Sequence, residues 1–86
     1  MNLESKRPEI DYPTTWQYKI IGSSVDEMIK AVESVIVDLE YDLSASNISQ
    51  KGKYFSLNIS VKVPSEIVRD LVFQKLSSHP AIKFVI

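Results

Sequence analysis

The sequence predicts one small α+β domain with the element order β-α-β-β-α-β, and three observations carry that prediction. A segment ending at Val63 alternates apolar and polar residues without a break, which marks a strand with one buried and one wet face. Two other segments repeat apolar residues at helical spacing, and each opens on a serine suited to cap a helix. A glycine turn, Gln50-Lys51-Gly52, joins the second and third strand segments as a hairpin. The length of 86 residues allows one domain and no more.

Residues 1–13 read as a flexible N-terminal arm, and residues 14–86 as the single folded domain. Pro8 and Pro13 cannot donate ladder hydrogen bonds, and the charges Glu4, Lys6, Arg7, Glu9 and Asp11 follow no period. Tyr12 stands where it can pin the arm to the domain.

The first strand runs from Thr15 to Ile21, where Trp16, Tyr18 and Ile20 alternate with Gln17 and Lys19. Gly22 ends it. Ser24-Val25-Asp26-Glu27 then fits a capping box, with Ser24 accepting from the Glu27 amide and two acids at the positive helix end. Val25, Met28, Ile29, Val32, Ile36 and Leu39 carry the helix to about Glu40. Tyr41 to Ser49 is a weaker, serine-rich edge strand whose alternation slips between Ala45 and Ile48, the sign of a bulge.

The third strand, Lys53 to Val63, points Phe55, Leu57, Ile59, Val61 and Val63 one way and Tyr54, Ser56, Asn58, Ser60 and Lys62 the other. Pro64-Ser65 stops it and caps a second helix, Glu66 to about Ser77, with Ile67, Val68, Leu71, Val72 and Leu76 as its apolar stripe. Ser78-His79-Pro80 breaks that helix. Ala81 to Ile86 is the last strand, with Ile82, Phe84 and Ile86 on one side.

Right-handed crossovers and a central hairpin reduce these elements to a ferredoxin-like fold. It is a four-stranded antiparallel sheet, order 4-1-3-2, with both helices on one face. The expected core is Trp16, Tyr18, Ile20, Met28, Val32, Phe55, Leu57, Ile59, Leu71 and Phe84.

Composition narrows the chemistry. There is no cysteine, which excludes disulfides, thiolate metal sites and cysteine catalysis. No apolar run exceeds three residues, as in Val35-Ile36-Val37, so no segment is suited to span a bilayer, and a cytoplasmic location is expected. A net charge of −1 is unlike that of a protein made to wrap nucleic acid. His79, the only histidine, lies between a helix end and a proline, where a C-cap role is the simpler reading than a general base. No converging set of acids or histidines forms a metal site, so neither metal nor cofactor is expected, and no triad points to an enzyme.

Two surfaces remain as candidates. Gly22, Ser23 and Ser24 form a turn at a helix N-terminus, where a small anionic ligand can approach the backbone; a plain strand stop and cap explains the same residues. The open sheet face carries Lys19, Tyr54, Lys62 and Lys83, while the helices carry most of the acids. That face is either a contact surface for protein or nucleic acid or a device that keeps the sheet soluble. Lys51-Gly52-Lys53-Tyr54-Phe55 is superficially like the start of an RNA-recognition strand, but Phe55 shares the buried parity of Leu57 and Ile59.

Three segments together resemble the YbeD-like family of small bacterial proteins. They are Tyr12-Pro13-Thr14-Thr15-Trp16-Gln17-Tyr18-Lys19-Ile20-Ile21-Gly22, then Ser49-Gln50-Lys51-Gly52-Lys53-Tyr54-Phe55-Ser56-Leu57, and the ending Ile82-Lys83-Phe84-Val85-Ile86. They match that family's aromatic-Pro-Thr…Tyr-Lys-hydrophobic-Gly opening, its Ser-Lys-Gly-x-Tyr-x-Ser hairpin and its Val-Arg-x-Val-Leu ending. Gln50 departs where a serine is common and Trp16 where a phenylalanine is. The resemblance covers nearly the whole chain after residue 11. It implies a βαββαβ domain of unknown function, similar in shape to ACT regulatory domains. By that analogy the chain is a non-enzymatic regulatory or small-ligand-binding module, with a homodimer and a small-molecule effector or protein partner as expected partners. Gly22, Ser23 and Ser24 would then line the effector pocket.

Overall fold

The computed structural model describes residues 10–48 and 53–86. The elements are β1 (Thr14–Gly22), α1 (Val25–Val35), β2 (Tyr41–Ile48), β3 (Phe55–Val63), α2 (Glu66–Ser78) and β4 (Phe84–Val85). They form one antiparallel sheet of order β2-β3-β1-β4, which is the expected order read from the other edge. The fold is ferredoxin-like, with an open sheet face opposite the helix layer.

The central pair sets the core. β1 and β3 pair from Thr14 opposite Val63 to Gly22 opposite Phe55. Strand alternation therefore turns Tyr18, Ile20, Leu57, Ile59, Val61 and Val63 to the same side. There they meet Met28, Ala31, Val32 and Ile36, and Val72 and Leu76 of α2. Ile20, Met28, Val32, Ile59, Val61, Val63 and Leu76 are wholly buried. Each such side chain contributes about 1.5–3 kcal/mol by leaving water. Trp16 and Phe55 pack against this core while keeping some exposure. Both helices open as the capping signals require: Ser24 accepts from the Glu27 amide at 3.3 Å, and Ser65 from the Val68 amide at 3.2 Å.

Three expectations are corrected. First, α1 stops at Val35 rather than near Glu40. The Ile36 amide still donates to the Val32 carbonyl, but Asp38 takes a left-handed conformation (φ 68°). The β-branched run Val35-Ile36-Val37 is a poor helix former, and aspartate tolerates the reversal. The chain must turn there for Tyr41 to lie opposite Val61. Ile36 is buried and Leu39 packs on the core, so the periodic signal reported burial beyond the helix that made it.

Second, the apolar stripe of α2 is narrower than expected: Ile67 is 79% exposed and Leu71 45% exposed, leaving Val68, Val72 and Leu76 toward the core.

Third, β4 is a two-residue strand, and its register places Ile21 opposite Phe84 and Ile20 opposite Val85. Val85 therefore shares the core side, and Phe84 and Ile86 are exposed. Ile82 is buried, but it belongs to the turn closed by its amide on the His79 carbonyl at 3.0 Å, so its parity does not carry into the strand.

The expected bulge in β2 is present as a register shift between Ala45 and Ile48. The turn at Gln50, Lys51 and Gly52 lies outside the described residues, as do residues 1–9 of the arm.

Candidate functional site: the open face of the sheet

Alternation fixes which side chains reach the open face. β1 contributes Thr15, Gln17, Lys19 and Ile21, opposite Lys62, Ser60, Asn58 and Ser56 of β3. The face divides into two unlike corners. At one, Thr15, Glu40, Tyr41, Asp42, Ser60 and Lys62 line an open, polar cleft of about 360 Å³. Lys62 Nζ lies 3.9 Å from Glu40 Oε1 with both side chains mostly in water, so its charge is offset by a weak, screened pair.

The other corner is apolar. Phe84 is 60% exposed and Ile86 73% exposed, beside Ile21 across the β4–β1 ladder. Tyr54, also exposed, precedes β3 with the parity of Ser56 and so belongs to the same side. Lys19 borders this corner, and Lys53 and Lys83 stand exposed near it. Among the described residues these three lysines take part in no ion pair. The sequence reading placed Lys83 on the open face; the register puts Phe84 there, and Lys83 lies exposed in the bend just before the strand, its amide on the Ile21 carbonyl.

The Gly22-Ser23-Ser24 turn is brought together, but the protein itself fills the space beside it. A Cβ on Gly22 would stand 2.6 Å from the Ala81 carbonyl oxygen and 2.9 Å from Met28 Sδ. Packing of α1 and of the approach to β4 thus accounts for the glycine. The Ser24 hydroxyl is occupied by the Glu27 amide, and Ser23 is exposed. His79 is likewise spent locally: its Nδ1 accepts from the Ala81 amide at 3.1 Å, and its own amide donates to the Leu76 carbonyl.

Sequence reasoning missed Arg69. Its guanidinium lies over the Trp16 ring, 4.5 Å from the centroid. Nη1 donates to the Tyr12 hydroxyl at 3.1 Å, Nε to Asp70 Oδ1 at 3.3 Å, and Nη2 lies 3.7 Å from Glu66 Oε2. The Tyr18 hydroxyl donates to the Arg69 carbonyl at 2.7 Å. Burial pushes the Tyr18 phenol up to about 12, partly countered by the Arg69 charge. All these groups have partners, so the cluster braces the start of β1 and the arm against α2. Only Glu66, three residues back on α2, follows from helical spacing; Asp70 is the sequence neighbour, and the aromatic partners come from far along the chain. Among the described residues no group of three potential metal ligands converges, and no helix is long and apolar enough to cross a membrane.

Fold and surface together define a small α+β sandwich of ferredoxin-like type with one open sheet face. The chain belongs to the family described as "Protein of unknown function (DUF493)", the YbeD family of small bacterial proteins, whose model matches residues 7–86. An uncharacterized protein of Campylobacter jejuni is 37% identical over 81 residues, covering 94% of this chain and 91% of that one. A UPF0250 protein of Janthinobacterium is 30% identical over 88 residues, covering 98% and 97%. The solution structure of protein HP0495 from Helicobacter pylori superposes with a TM-score of 0.83 at 30% identity, covering all of this chain and 94% of that one.

Proposed function

We propose that this chain is a non-enzymatic binding module that engages a protein partner through the apolar corner of its open sheet face. The observation that carries the reading is the exposure of Phe84 and Ile86 beside Ile21 on a face that is otherwise polar. Covering two large apolar side chains yields about 1.5–3 kcal/mol each, and three lysines with no ion pair among the described residues rim the contact. The non-enzymatic reading is supported at two groups: the Tyr18 hydroxyl is held by a backbone carbonyl and the His79 imidazole by its own turn. A regulatory pocket of ACT type at Gly22 has less support, because Ala81 and Met28 occupy the approach that a ligand would need.

The test is site-specific photo-crosslinking in the native host, with the reactive group at position 84 or at Glu33 on the exposed helix surface. Protein adducts form from position 84 and not from position 33. Adducts from the helix position alone would place the contact surface on the wrong side.

A further inference from the structure

We infer that the outer edge of β4 is a strand acceptor, and that it takes an extended, acidic segment of a partner protein as a fifth strand. This rests on the reading of the apolar corner as the contact surface and names the partner's chemistry. Ile86 and Lys19 exchange both backbone bonds, at 2.8 and 3.0 Å, and the Lys83 amide donates to the Ile21 carbonyl at 2.7 Å. Antiparallel alternation then turns the Val85 amide and carbonyl away from β1, toward solvent at the sheet edge. An edge donor and acceptor in line are what an incoming strand needs.

The two edges of the sheet differ in how they meet this hazard. β2 carries a register shift between Ala45 and Ile48, a feature that bends an edge and blunts further pairing. β4 shows no register shift, and Ala81 to Ile86 contains no proline; its guards are its two-residue length and the charge of Lys83, which an acidic partner neutralises. A strand laid against it places alternate side chains beside Phe84 and Ile86 on the open face, where apolar residues fit. Its remaining side chains meet Lys83, exposed where the chain enters β4, so carboxylates complement it. A second copy brings further lysine and no acid to that seam, because Ile82-Lys83-Phe84-Val85-Ile86 carries none. A nucleic-acid phosphate can accept from the Val85 amide but cannot extend the strand ladder in register.

The probe is a capped decapeptide alternating glutamate with valine, titrated into the full chain and followed by amide NMR and hydrogen exchange; the control replaces each glutamate with lysine. The Val85 amide shifts and its exchange slows with the acidic peptide only. Val85→Pro removes a donor that β1 does not use, so binding falls at least tenfold while the spectrum of β1 and β3 is retained. Should that variant misfold, Lys83→Glu supplies the second arm: it weakens the acidic peptide and strengthens the lysine one. The inference is overturned by an unchanged Val85 amide, by equal binding of both peptides, or by Val85 protection that rises with protein concentration alone and so assigns the edge to a second copy. Loss of peptide binding with adducts still formed from position 84 removes the strand acceptor and leaves the open-face reading standing.

Discussion

The guanidinium of Arg69 stacks on the Trp16 indole and hydrogen-bonds the Tyr12 hydroxyl, so one side chain of α2 holds both the first strand and the residue that leads into it. A planar, five-donor group is suited to this double role and an ammonium is not. Arg69→Lys therefore lowers the thermal midpoint, and Arg69→Ala lowers it further and shifts the Tyr12 ring resonances toward free-tyrosine positions. An unchanged midpoint in both variants would show that the brace is incidental.

Gly22 is expected to resist even alanine. The added methyl meets the Ala81 carbonyl at 2.6 Å, and backbone cannot step aside as a flexible side chain can. Gly22→Ala should cost about 1–3 kcal/mol in urea unfolding. Pairing it with Met28→Ala does not restore stability, since the carbonyl contact remains. Rescue by the double variant would mean that Met28 alone imposes the glycine.

The register of β4 separates two residues that look alike in sequence. Ile59 is wholly buried, and Ile59→Ala should cost about 2–5 kcal/mol. Phe84 projects from the open face, and Phe84→Ala should change stability by no more than about 0.5 kcal/mol. Comparable losses at both positions would restore Phe84 to the core.

Tyr18 gives a pH signature. Its phenol stands near 12 in the fold against 10.0 when free, so both states keep the proton below pH 10 and the contribution is full there. Between pH 10 and 12 the unfolded chain releases a proton that the native state retains, and stability falls through that window. Urea midpoints across the range should show the fall. Tyr18→Phe removes this group's share of it, and loses about 1 kcal/mol at neutral pH with the bond to the Arg69 carbonyl.

The fold was readable because its strongest signals are local. The alternation of β3, the serine caps at Ser24 and Ser65, and the slip between Ala45 and Ile48 each report on a few adjacent residues and need no distant partner. What failed was set by tertiary contact. The end of α1 depended on where β2 had to begin. The parity of β4 depended on a turn that breaks the count between Ile82 and Phe84. The candidate surface reads in the sequence as a row of lysines, while its apolar part stays hidden because Phe84 is expected in the core, with Ile86 on the same side as it. Arg69 was invisible for the same reason: its partners Tyr12, Trp16 and Tyr18 lie more than fifty residues away in the chain.

The pairing of β1 with β3 rather than with a sequence neighbour has a consequence for how the chain is made. Every strand that flanks β1 is encoded after α1 and β2. On the ribosome β1 and α1 emerge first, with their apolar faces bare, and must wait for Phe55–Val63 before the central ladder can close. Trp16, Tyr18 and Ile20 therefore gain their buried setting only when the second half of the domain is present, and a chain cut before Phe55 leaves β1 without either of its flanking strands.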